Sequence, residues 1–161
     1  MLRRTAAFAA AVSVMVVLGS AAHSYLVQQA WSMAAGWAEG TDQVGIPLAE
    51  RMTWAAHDLV GMIRSYGVLV SIALFIAFLA AGALARFTGH RTIVFGASGA
   101  AAIFVMFTAL RTLQGTVFIF GARGTTGLAA QMAVGLIAAI AFAQLTASLG
   151  AGSLARDPVN G

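Results

Sequence analysis

The chain has 161 residues, 60% of them hydrophobic and only 9% charged, with a mean hydropathy of +0.89 and a formal net charge of +4. A soluble domain of this size cannot hide so much apolar surface, so lipid must cover part of it. The lack of cysteine excludes a disulfide scaffold, an iron–sulfur cluster and thiol chemistry, and arginines scattered singly make no basic face for nucleic acid despite an isoelectric point near 11.2.

Arg3 and Arg4 open the chain, followed by the apolar run TAAFAAAVSVMVVLGSAA. A basic start, an apolar stretch and small residues at Ser20 and Ala22 also suit a secretory signal peptide. The run is longer than a usual signal core, and no charge follows until Glu39, so a retained first span over about residues 5–30 is the favoured reading. Tyr25, Trp31 and Trp37 are the amphipathic aromatics expected where a helix leaves the bilayer.

GTDQVG at residues 40–45 reads as a turn, and Pro47 suits the start of a helix. Leu48, Met52, Ala55, Leu59 and Met62 recur at three- and four-residue spacing, which predicts an amphipathic interfacial helix over about 47–62 in the first outer loop. Glu50, Trp54, His57, Gly61 and Arg64 share its other face, with Asp58 beside them.

Residues 65–85 form an uncharged run stopped by Arg64 and Arg86. At 1.5 Å per residue, about 21 helical residues cover the ~30 Å of bilayer hydrocarbon, which gives a second span over 64–86. The hairpin RFTGHR brings Arg86, His90 and Arg91 together, and a third span follows over 92–111, with Gly96, Gly99 and Ala100 where another helix can approach closely. Beyond Arg111, residues 117–120 read as interfacial. The fourth span covers 125–149, where Gly127, Gln131, Gly135, Ala139 and Ala143 make a small-residue stripe that should face protein.

The pattern predicts an all-α integral membrane four-helix bundle, one transmembrane domain over residues 1–161. Arg3, Arg4, Arg86, Arg91 and Arg156 fall on one side, opposed by Asp157 alone. Arg51, Arg64, Arg111 and Arg123 fall on the other, balanced by Glu39, Asp42, Glu50 and Asp58. The positive-inside tendency then makes the protein multi-pass in a bacterial inner membrane, with both termini cytoplasmic.

Any site should lie at the outer ends of the spans. Arg64, Arg111 and Arg123 come from three helix ends at similar depth, with His57, Asp58 and Gln131 nearby. Guanidinium groups present forked donors to carboxylate, phosphate or quinone oxygens, so the set suits a lipid-like anionic ligand at the outer leaflet. The plainer reading is that these arginines snorkel to lipid phosphates or pair with Asp58 and Glu50. His23 and His57, on neighbouring helices, are the two ligands that a b-type haem would need, which leaves a haem- or quinone-binding redox subunit as an alternative. A small-solute transporter is a further alternative, weakened by the absence of intramembrane charge from the second and third spans. No metal-ligand spacing, nucleophile-and-base set or phosphate loop is present, so the expectation is a protein that is no enzyme and carries no cofactor or metal. A non-catalytic role follows, as an accessory or assembly subunit of a larger membrane complex, with self-association also open.

The segments IPLAERMTWAAHDLVGMI, ARFTGHR and FGARGTTGLAAQ together resemble small four-helix inner-membrane proteins of proteobacteria. That family has no assigned function, so the resemblance implies fold and location only. DoxX-like proteins are similar in size without a shared motif, and the disulfide-oxidising families need cysteines that are absent.

Overall fold

A computed structural model of the chain describes residues 2–41, 44–115 and 124–154. Four helices, and no strand among the described residues, make up the fold: α1 Leu2–Glu39, α2 Leu48–Thr88, α3 Arg91–Gln114 and α4 Thr125–Leu154. All four are long and apolar enough to cross a membrane. Helix α1 packs on α2 and α4, and α3 packs on α2 and α4, which closes an antiparallel ring with the start of α1 and the end of α4 at one end of the bundle.

Local chemistry sets the helix ends. Gly40, Gly89 and Gly115 take positive φ angles of 73°, 70° and 69° where α1, α2 and α3 stop, a conformation that only glycine adopts without strain. The Gly89 N–H donates to the Ala85 carbonyl, and Arg86 sits in the last turn of α2, where its charge opposes the helix dipole. Pro47 immediately precedes α2, and its carbonyl accepts from the Arg51 N–H.

Small residues line the closest helix contacts inside the bundle. Gly127, Gln131, Gly135, Ala139 and Ala143 are all buried, as the stripe on the fourth span requires. Helices α3 and α4 meet backbone to backbone: a Cβ on Gly99 would stand 2.3 Å from the Gly135 carbonyl oxygen and 2.5 Å from the Ala139 Cβ. Large residues such as Val68, Ile72, Ile76, Ile93 and Val105 point outward and are more than half exposed. In water that surface would aggregate; in a bilayer it is where acyl chains lie.

The first two helices are much longer than a bilayer needs. Helix α1 has 38 residues and α2 has 41, against 24 in α3, so α1 and α2 are about 60 Å long against a ~30 Å hydrocarbon core. The amphipathic segment 47–62 is helical as its periodicity predicts, but it is not a separate element lying across the interface. It forms the first turns of α2, which runs through Arg64 without a break. Likewise α1 continues past residue 30 to Glu39. The physical reason is that the two segments pack on each other. Trp31 and Trp54 meet edge to face with ring centroids 5.6 Å apart, and residues 44–46 fold back so that the Val44 N–H donates to the Ser32 carbonyl and the Ser32 hydroxyl to the Val44 carbonyl.

The close contact at Gly99 should tolerate no side chain. Gly99→Ala is expected to cost about 1–3 kcal/mol by forcing α3 from α4. Gly61→Ala meets nothing within 4 Å and is expected to be neutral or to stabilise by up to about 1 kcal/mol. Thermal unfolding of the two variants in detergent reads both effects.

Candidate functional site

Toward the C-terminal end of α1 a polar seam runs along the helix. Ser20, Ser24, Gln28 and Ser32 follow one another at every fourth position and are buried, with 1 to 5% of their surface exposed, and Gly36 completes the row. The seam faces α2 and the loop before it. Gln28 Nε2 donates to the Ser24 hydroxyl at 3.0 Å and to the Arg51 carbonyl at 3.1 Å, and Arg51 Nε donates to the Ile46 carbonyl at 3.2 Å. Small polar side chains here let two backbones approach while supplying the hydrogen bonds that a dry interface demands.

Below the seam, three helices are joined at one level. Tyr66 of α2 donates its hydroxyl to Gln131 Oε1 of α4 at 2.6 Å, and Gln131 Nε2 donates to the Gly19 carbonyl of α1 at 2.9 Å. Gln131 is fully buried and Tyr66 almost so. Gly19 is indispensable to this geometry, since a Cβ there would lie 2.5 Å from the Tyr66 oxygen and 2.9 Å from Gln131 Oε1. The Ser20 hydroxyl, next to this junction, is buried without a hydrogen-bond partner.

The residues singled out from the sequence are distributed as follows. Gln131 has both amide groups engaged inside the bundle, which makes it a cross-tie between helices. Asp58 is half-buried, and it is the α2 residue whose charge reaches His23 on α1. His57, one position earlier, is exposed. Arg64 and Arg111 are also exposed, Arg64 in the middle of α2 and Arg111 in the last turn of α3. Arg123 lies outside the described residues. Sequence reasoning missed the α1 seam and Tyr66. The signal was present as S-x3-S-x3-Q-x3-S-x3-G, a four-residue period inside a segment whose overall hydropathy drew more notice.

Beyond this junction α3 and α4 continue for only two or three turns, α3 ending at Gln114 about 10–15 Å past the level of Gln131, and farther out the described structure is a two-helix prong of α1 and α2. At 1.5 Å per residue, α1 continues about 30 Å past Gly19 and α2 about 27 Å past Tyr66, whereas α4 begins only about 9 Å past Gln131. Large apolar side chains cover the prong: Trp37 is 77% exposed, Leu48 74%, Val60 71% and Met52 65%. Glu39, Glu50, Arg51, His57 and Asp58 are interspersed among them. Among the described residues no group of three or more acidic, histidine or cysteine side chains is placed to hold a metal ion.

The fold defines a multi-pass, all-α membrane protein with four spanning helices. No protein-family model, curated protein or solved structure matches the chain.

The junction makes a direct prediction. Tyr66→Phe leaves the Gln131 carbonyl buried and unpaired, and is expected to cost about 1–2 kcal/mol. Adding Gln131→Leu to that variant should cost less than the sum of the single changes, the coupling being about 1 kcal/mol. Gly19→Ala should be at least as damaging as either, as read by thermal melting in detergent.

Proposed function

We propose that the protein is a non-catalytic accessory or assembly subunit of a bacterial inner membrane, and that the α1–α2 prong is its docking element on the outer face, with both termini cytoplasmic. The observation that carries this reading is the prong itself. A chain that only needed to cross the bilayer would not extend two helices about 15 Å beyond the others and leave Trp37, Leu48 and Met52 on the surface. Tryptophan and methionine are enriched at protein interfaces, where aromatic area is buried at low entropic cost. The buried seam supports this role, because hydrogen bonds from Gln28 and Ser32 hold the prong rigid before a partner arrives. Arg64 and Arg111, exposed near its base, and Arg123 are suited to outer-leaflet phosphates and keep the helices at a fixed depth.

Two measurements test this. The chain lacks cysteine, so Thr41→Cys and Thr88→Cys give clean single-site probes. An impermeant maleimide applied to intact cells should label Thr41→Cys at once and Thr88→Cys only after permeabilisation; the reverse order would overturn the orientation. A photo-crosslinking residue replacing Trp37 or Met52 should give one discrete heavier adduct, while the same residue at Ile93, on the lipid-facing side, should give none. Absence of an adduct from both prong positions rejects the accessory role.

A further inference from the structure

At the end of the bundle where α1 starts and α4 ends, all four helices line a cavity of about 750 Å³. Its polarity changes with depth. Arg4 of α1, Arg86 of α2 and Arg91 of α3 line it and are exposed, whereas Phe78 and Phe95 beneath them are 7% and 2% exposed. The rings form one cluster. Phe78 stacks on Phe142 with centroids 4.4 Å apart, Phe95 lies 5.4 Å from Phe142, and Phe8 meets Phe75 and Phe78 edge-on at 6.0 Å.

The guanidiniums here differ from lipid anchors on a smooth surface. Arg91 is held in place by neutral groups, its CZ 4.9 Å above the Phe95 ring and its Nη2 donating to the Thr146 hydroxyl. The only described acids, Glu39, Glu50 and Asp58, belong to the α1–α2 prong at the far end. Three permanent positive charges therefore converge with no carboxylate partner among the described residues. Gly82, which also lines the cavity, keeps it open: a Cβ there would just reach the Phe95 ring at 4.0 Å.

We propose that this cavity binds an anionic amphiphile, its phosphate or carboxylate on Arg4, Arg86 and Arg91 and its hydrocarbon chain against the phenylalanine cluster. A volume of this size is that of a small-molecule site. Charge at the mouth demands an anionic head, and forked guanidinium donors match phosphate and carboxylate oxygens. The buried ring floor offers almost no hydrogen-bonding groups, which excludes a nucleotide base or a sugar as the inner portion and selects a hydrocarbon chain. The head group is at the level where Arg86 and Arg91 bound the second and third spans, so a ligand can enter from the membrane itself. This site is independent of the accessory reading and is tested without any partner protein.

The test uses the full chain purified in a neutral maltoside detergent, with phosphatidylglycerol, palmitate, phosphatidylcholine or inorganic phosphate added, read by native mass spectrometry and thermal melting. Either phosphatidylglycerol or palmitate should bind one to one and raise the melting temperature, and whichever does so identifies the head group. Phosphatidylcholine and inorganic phosphate should do neither. Arg86→Gln should weaken binding roughly tenfold or more, and Gly82→Leu should abolish it by filling the cavity. Thr112→Ala, exposed on α3 and not among the residues lining the cavity, should bind as the unaltered chain does. Equal binding of phosphatidylcholine, equal binding of inorganic phosphate, or undiminished binding by both Arg86→Gln and Gly82→Leu would each overturn the proposal.

Discussion

Tyr66, Gln131 and the Gly19 carbonyl fasten α1, α2 and α4 together where no water can substitute for a lost partner. In a soluble bundle the burial of apolar side chains drives helices together. In lipid that drive is missing between helices, because acyl chains are as apolar as leucine, and association depends on close packing and interhelical hydrogen bonds. The chain uses both. Helix α3 has no share in the junction, and it is attached instead through the bare backbone contact of Gly99 with Gly135.

This division of labour also explains the distribution of residue sizes. Glycine, alanine and serine line the closest seams, bulky residues such as Met15, Val70, Leu74 and Ile103 fill the spaces between them, and further bulky aliphatic residues face outward. At the end bearing Arg4, Arg86 and Arg91 the large interior side chains are phenylalanines. Large rings occupy the interior there because the helices leave room for them, and the space they do not fill is the cavity under the arginines. The two ends of the bundle thus differ in chemistry. One is a hydrogen-bonded prong carrying every described acid, and the other is an aromatic chamber rimmed by arginine.

Much of the fold could be read before any coordinates, for a physical reason: uncharged runs of bilayer length ended by arginine have few alternatives. The α4 stripe was also legible, since a four-residue repeat of small residues has one plausible use. The continuity of α2 was not. Leu48 to Met62 shows the same periodicity whether its apolar face meets lipid head groups or another helix, and only the presence of α1 alongside decides between them. The outer arginines were chosen because they stand at span ends, a property that says nothing about their neighbours. Arg4 and Arg91 are far apart in sequence, and their meeting depends on ring closure between α1 and α4, which no local pattern encodes. Gln131 stands out as a lone amide in an apolar span, whereas nothing local marks Tyr66 as its partner, 65 residues away.

Helix α2 is an unbroken rod gripped near its middle. Tyr66 stands about 27 Å from Leu48 and about 30 Å from Arg86, so the two arms are almost equal. It is held on both sides of that point, by Val70, Leu74, Phe78 and Ala81 buried toward one end and by the Trp31–Trp54 contact and the Gln28 hydrogen bond toward the other. One continuous rod therefore carries both the hydrogen-bonded end and the aromatic end, and the axial distance between them is set by helix rise alone.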